Sequence, residues 1–211
     1  MLMKFYMTPG SCSTGIHILL EELGLVFEAY LVNLLAGDQY KPDYLAINPR
    51  ATIPTLVRED GIPLCDFISI AWWLGRTHPK SGLMPATIND EARALEMMNH
   101  VIHGVHGQGF ARIFTSEKFT LDDGDQQAVQ AQGREMACKD FAIINNKLSE
   151  HLFVLDQFSI ADCALFYVEF WADRIDIPLP ENCAAHYRKM LKRPIVRQVL
   201  QEEGYASALR G

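Results

Sequence analysis

The sequence has no apolar run approaching the ~18 residues that a membrane-spanning helix needs, and no block of lysine or arginine. Its 19 Lys and Arg are outnumbered by 26 Asp and Glu, for a formal net charge of −7 at pH 7. The electrostatic footprint of a nucleic-acid-binding surface is therefore missing. Internal repeats and low-complexity tracts are absent too. Cysteine is scarce, odd in number and scattered: Cys12, Cys65, Cys138, Cys163 and Cys183. That is the pattern of reduced thiols and not of a disulfide framework. The N-terminal apolar stretch is cut by Lys4 and stops at Pro9-Gly10, too short for a secretory signal. What is present is ordinary: 49% hydrophobic and 21% charged residues over 211 positions, enough for one large or two small cores. A folded cytoplasmic protein is expected, with neither nucleic acid nor membrane as partner.

Chemistry is concentrated near the start, in Tyr6-Met7-Thr8-Pro9-Gly10-Ser11-Cys12-Ser13. Leu2 to Tyr6 reads as a strand, and Pro9-Gly10 as a turn. Ile16, Leu19, Leu20 and Leu23 then recur at helical spacing until Gly24 stops the helix. A thiol and hydroxyls thus sit at a helix N-terminus, whose unpaired N–H groups favour a thiolate. Two readings of Cys12 stand side by side: a reactive sulfur, or a small buried hydrophobe beside a serine that caps the helix. Cys12-Ser13-Thr14-Gly15 has no second cysteine. Any redox work here needs a mixed disulfide with an outside thiol.

Further on, Phe27 to Asn33 reads as a strand, Pro42 to Ile47 as a short helix, and Ile53 to Val57 as a strand. Ile62 to Cys65 pairs back after the turn at Glu59-Asp60-Gly61, and Asp66 is placed to cap a helix over Ile68 to Arg76. The order β-α-β, then β-β-α, predicts one small α/β unit over residues 1–79. A linker rich in Pro and Gly follows at residues 80–88, and an all-helical unit over residues 89–211. That second unit should begin its first helix at Asn89 or Asp90 and a second at about Gln126, running to Glu150. Ser159-Ile160-Ala161-Asp162 is a capping box opening a helix apolar on nearly every side, which belongs in the domain centre. Helices over Pro180 to Lys192 and Pro194 to Glu203 close the chain.

Taken together, Tyr6 to Ser13 with His17, Glu22-Leu23-Gly24, Tyr44-Leu45-Ala46-Ile47-Asn48-Pro49, Ile53-Pro54, Phe158-Ser159-Ile160-Ala161-Asp162 and the tail Arg193-Pro194 through Glu203-Gly204 resemble the glutathione transferases over essentially the whole chain. The likeness is greatest to their bacterial beta-type, cysteine-containing branch. It implies a thioredoxin-like N-terminal domain followed by an all-α domain, a homodimer, and glutathione as co-substrate for attack on a small hydrophobic electrophile, in detoxification chemistry. It also implies a cis peptide at Ile53-Pro54, whose backbone pairs with glutathione, with Cys12 and Ser13 facing the glutathione sulfur. Asp66 and Phe67 stand where the family usually has Glu and Ser holding the γ-glutamyl group. Asn99 matches an asparagine that reaches the site across the dimer, and Lys41 is the substitute for a lysine on the glycine carboxylate. Losing the serine hydroxyl at Phe67 costs about 0.5–1.5 kcal/mol of net hydrogen bonding. Glutathione is therefore expected to bind more weakly than is usual in the family.

The family also places a histidine near the sulfur, within His100 to Phe110. Counted forward from Asn99 this is His106; counted back from Gly109-Phe110 the register is one residue off. His103 and Phe110 would help form the wall for the electrophile. At i, i+3 and i+6 on an α-helix, His100, His103 and His106 do not converge as metal ligands, and no metal is expected. Gly104, Gly107 and Gly109 in the same stretch suggest a kink or a close backbone approach, since each costs about 1 kcal/mol in a helix interior. Trp73 fits its helix core and Trp72 an interface. The expected activity is glutathione transfer to alkyl or aryl groups, with thiol–disulfide exchange through Cys12 as a second reaction. Two alternatives remain open at this level: a non-catalytic dimerisation or docking module, and a specialised glutathione-dependent lyase, isomerase or dehalogenase.

Overall fold

The computed structural model describes residues 1–148 and 153–209. The chain forms two compact units, Met1–Met84 together with Leu191–Gly211, and Pro85–Met190. The division falls between Met84 and Pro85. The last helix, expected in the helical domain, clusters instead with the first unit.

In the first unit, β1 (Met3–Met7), β2 (Phe27–Leu31), β3 (Thr55–Val57) and β4 (Pro63–Cys65) form one sheet in the order β2-β1-β3-β4. β1 and β2 are parallel, with Phe5 opposite Ala29; β1–β3 and β3–β4 are antiparallel. The parallel pair requires a crossover, supplied by α1 (Ser13–Glu22). Leu23 and Gly24, the latter at φ 61°, end that helix. Alternation along β1 buries Met3, Phe5 and Met7. They pack with Ile16, Leu19 and Leu20 of α1, Leu56 of β3, and Ile70 and Leu74 of α3 (Phe67–Thr77), all fully or almost fully buried. A one-turn α2 (Pro42–Leu45) precedes β3.

Asp66 does not cap α3 as expected: its side chain makes no capping bond, and its backbone is at φ 86°. Its N–H is instead drawn to the Pro54 carbonyl at 3.3 Å. At the chain's other end α9 (Pro194–Glu202) returns to α1. Arg193 forks onto Glu22 Oε1 at 2.7 and 3.1 Å, and Gln198 reaches Glu21.

The second unit, Pro85–Met190, is helical: α4 (Ile88–Asn99), α5 (Ala111–Phe114), α6 (Gln126–Lys147), α7 (Ile160–Arg174) and α8 (Glu181–Leu191), the last crossing the boundary by one residue. Thr87, just upstream of the expected start, caps α4 by accepting from the Asp90 N–H at 3.1 Å. The final residues of the helix expected to run to Glu150 lie outside the described residues. The capping box forms as expected: Asp162 accepts from the Ser159 N–H at 2.7 Å, and Ser159 from the Ala161 N–H at 3.3 Å. From Ile160 to Ala172 every residue of α7 is buried.

Between α4 and α5 the chain stays helical. His100–Phe110 winds as a π-helix, a wide form usually limited to single turns. Close approach is the physical reason for its glycines. A Cβ on Gly109 would come 3.0–3.1 Å from Ala137 atoms, two of them backbone, and one on Gly133 would come 2.7 Å from the Gly109 carbonyl oxygen. No described helix is long and apolar enough to cross a membrane.

Candidate active site

The turn between β1 and α1 is held by side chains of its own. The Ser13 hydroxyl donates to the Thr8 carbonyl at 3.0 Å and accepts from the Thr8 N–H at 3.1 Å. With that single proton committed, the 2.6 Å contact between Ser11 and Ser13 has Ser11 as donor. Ser13 is fully buried. The resemblance implied that Ser13 faces the glutathione sulfur; here its hydroxyl is spent on the turn. Gly10 sits at φ 72°, and Tyr205 occupies the space a Cβ would need. Glycine is required there on both counts.

Beneath the turn lies Glu203, 8% exposed. Its carboxylate accepts from the Gly10 N–H at 2.7 Å, the Thr14 hydroxyl at 2.7 Å and His17 Nδ1 at 2.9 Å. Three donors about 190 positions away in sequence thus end on one side chain. Nothing in the local pattern signals this, although Glu203-Gly204 belongs to the tail motif.

Cys12 is the residue before the first helical position of α1 and is 8% exposed. The helix start was expected to favour its thiolate. Burial instead pushes the thiol up to about 12, the backbone N–H groups of Cys12 and Ser13 offset only part of this, and the Asp66 charge adds to the rise. Desolvation outweighs the partial charge of the helix end. The protonated Sγ donates to the Ile53 carbonyl at 3.6 Å.

Ile53-Pro54 is cis, as the resemblance implied. Pro54 is buried and Ile53 half-buried. The Ile53 N–H makes no hydrogen bond among the described residues. Cys12, Ile53, Pro54 and Asp66 are thereby linked in a continuous cluster: sulfur to Ile53, and Asp66 N–H to Pro54. Arg50, which the sequence did not single out, brings its guanidinium to 3.6 Å from Asp66. Phe67 is 2% exposed, so only its backbone can serve a ligand. Lys41 is bound up in a 2.7 Å ion pair with Asp38, which raises the ammonium above its ordinary value.

In the helical unit the three histidines do not converge: two have separate partners and one is exposed. His100 pairs with Asp140 at 3.2 Å. His103 is exposed. His106 Nδ1 lies 3.1 Å from the Tyr167 hydroxyl, with its ring edge-on to Trp171 at 4.9 Å between centroids. Phe110, expected in the substrate wall, is 0% exposed and packs against Phe114, Phe141 and Trp171. A wall residue must present surface, so Phe110 is core. Asn99 is exposed, its amide donating to Leu95 at 2.8 Å. Trp72 is 41% exposed, whereas Trp73 lies under the Arg58 guanidinium at 5.7 Å.

Known proteins share this fold. The glutathione S-transferase N-terminal domain family matches residues 10–77, and the glutathione S-transferase C-terminal domain family residues 93–194. The chain is 32% identical over 214 aligned residues to glutathione S-transferase GstA of Escherichia coli O157:H7, covering 96% of this chain and 99% of that protein. A crystal structure of a Sulfitobacter glutathione transferase homolog with bound glutathione superposes with a TM-score of 0.87 at 26% identity, over 97% of this chain and 99% of that one. A sphingomonad glutathione S-transferase complexed with glutathione gives a TM-score of 0.82 at 26% identity, over 95% and 98%. With both domain families matched in order and a full-length relative at this identity, the chain belongs to the glutathione S-transferase family.

Proposed function

We propose that this protein is a glutathione transferase that sets the glutathione thiolate against a small hydrophobic electrophile. The observation that carries the reading is the backbone of half-buried Ile53: an N–H with no hydrogen bond among the described residues, beside a cis proline and next to Cys12. An extended cysteinyl unit can satisfy that N–H as an added strand does. Relatives crystallised with glutathione support the same ligand here. The Asp66 carboxylate, with Arg50 nearby, suits the γ-glutamyl ammonium and carboxylate, together with the backbone at the start of α3. Lys41 can meet the glycine carboxylate only by leaving Asp38. Asn99 serves the second copy of a homodimer. The protein works in the cytoplasm.

Because burial holds the proton on Cys12, the ionised thiol is that of glutathione, and Cys12 becomes an S–H donor to it by turning its hydrogen away from the Ile53 carbonyl. Lowering glutathione from about 8.5 to about 6.5 takes about 2.7 kcal/mol. It raises the thiolate fraction near neutrality by about 25-fold, while nucleophilicity falls about 8-fold at a Brønsted slope near 0.45. A net gain of about threefold leaves most of the acceleration to holding the electrophile against the sulfur. Exchange through a Cys12 mixed disulfide is the slower, second activity. The Cys12→Ala variant tests this division: exchange is lost and conjugation of an aromatic halide continues. Equal retention of both activities removes Cys12 from the mechanism.

A further inference from the structure

On the face of α1 turned toward α9, His17, Glu21 and Glu202 offer ligand atoms that all lie within 4.8 Å of one another. They border a cavity of about 480 Å3, also lined by Leu25, Phe27 and Leu31. His17 and Glu21 are one helical turn apart, so they share a face. Glu202 arrives from the end of α9.

What distinguishes the cluster from a chance gathering of carboxylates is the imidazole. His17 is 7% exposed, and its Nδ1 faces a Glu203 carboxylate that can only accept, so Nδ1 carries the hydrogen. That leaves Nε2 as the atom presented to the cluster. It makes no hydrogen bond among the described residues and stands 3.4 Å from Glu202 Oε2. A carboxylate behind the far nitrogen of an imidazole is the arrangement that orients metal-binding histidines. The carboxylates are oriented as well. The Gln198 amide donates to Glu21 Oε2 at 3.1 Å and to Glu202 Oε1 at 2.9 Å, leaving Glu21 Oε1 and Glu202 Oε2 uncommitted. Neither glutamate has a Lys or Arg partner among the described residues.

We infer that His17, Glu21 and Glu202 form a site for one divalent transition-metal ion, with Glu203 and Gln198 as orienting residues. One imidazole and two carboxylates suit Zn2+ or Co2+ better than Mg2+ or Ca2+, which favour all-oxygen shells. Ligands at about 2.1 Å around a tetrahedral ion are separated by about 3.4 Å. The cluster closes to that spacing by rotation of the exposed Glu202 side chain, and water from the cavity completes the shell. The sequence led to the expectation of no metal, on the spacing of the three histidines of the helical unit; His17, Glu21 and Glu202 are a different set.

The test is calorimetric titration of the chelator-treated, full-length protein with Zn2+, paired with the absorption spectrum of its Co2+ form. One equivalent should bind, with affinity falling at least about 10-fold in Gln198→Ala and further in Glu21→Gln and Glu202→Gln. His103→Asn and Cys138→Ser should bind as the parent does. Cobalt should show ligand-field bands with no thiolate charge-transfer band. Three outcomes overturn the inference: no binding at millimolar Zn2+, binding indifferent to Glu21→Gln and Glu202→Gln, or a thiolate-type cobalt spectrum. Both glutamates are partly or fully exposed, so these variants are expected to fold; thermal unfolding of each metal-free variant verifies it.

Discussion

Cys12 Sγ lies 3.6 Å from the carbonyl oxygen of Ile53, the residue before the cis proline. The thiol is the donor, and its burial is what keeps it protonated: desolvation, the largest cause, pushes its value up to about 12, so the thiol form prevails near neutrality. Cys138, by contrast, is exposed. Iodoacetamide should therefore modify Cys138 first and Cys12 at least ~100-fold more slowly in the folded protein. Peptide mass spectrometry over a time course reads both sites. Equal rates would mean that the helix start, and not burial, governs the sulfur.

Glu203 is predicted to be the costliest carboxylate to lose in the first unit. Removing it strands a backbone N–H, a hydroxyl and an imidazole nitrogen together. Glu203→Ala should lower stability by about 3 kcal/mol in urea unfolding, given about 1–3 kcal/mol for each buried group left unpaired and partial relief by water. Glu202→Gln, a few ångströms away and exposed, should change the metal-free protein little. Equal losses in the two variants would contradict this ranking.

Gly133→Ala separates propensity from packing. In an open helix interior alanine stabilises by about 1 kcal/mol over glycine. At Gly133 the new methyl would sit 2.7 Å from the Gly109 carbonyl oxygen, a backbone atom that cannot swing aside. Overpacking of that kind costs about 1–3 kcal/mol. The variant should unfold at lower denaturant than the parent. A gain in stability would show that the π-helix and α6 can move apart.

Stability should fall as pH rises, through two groups in the core of the helical unit. His186 lies 2.7 Å from Glu169 and 3.1 Å from Asp162, all three buried. Burial raises Glu169 from 4.5 to about 7, with His186 pulling it down. Between these values the folded chain holds the extra proton, so that contribution is complete below about 4.5 and lost as the pH passes about 7. Burial alone lowers His186, but Glu169 and Asp162 outweigh it and raise it from 6.5 to about 10, a contribution present below 6.5 and lost through about 10. Urea unfolding of parent, Glu169→Gln and His186→Asn across this range reads both. The parent's advantage over Glu169→Gln should shrink from acid to neutral, and its advantage over His186→Asn from neutral to alkaline. A flat or growing advantage contradicts the assignment.

Much of this fold was legible because local signals agreed with one another. The apolar spacing of Ile16, Leu19 and Leu20, the stop at Gly24 and the box Ser159–Asp162 each name one element, and each appears. The reactive turn was legible as a place but not as a state. A sequence shows Cys12 at a helix start; it does not show how little water reaches the sulfur, and here desolvation decides. Asp66 misled for a related reason. Its residue type suits a cap, yet its N–H is taken by Pro54, a tertiary contact that fixes a positive φ. Phe110 carried no mark separating a wall from a core. The convergence of Glu203 on Gly10, Thr14 and His17 is wholly long-range and had no local signature.

The most direct measurement is calorimetric titration of the reduced, purified protein with glutathione near neutral pH. Saturable binding weaker than micromolar, lost when Arg50 and Asp66 are both changed to alanine, is the expected result. It would mean that the Ile53 backbone and the Asp66–Phe67 pair still hold the tripeptide. No heat of binding at several millimolar glutathione would contradict the central claim, and a sub-micromolar Kd would contradict the weakened site read from Phe67.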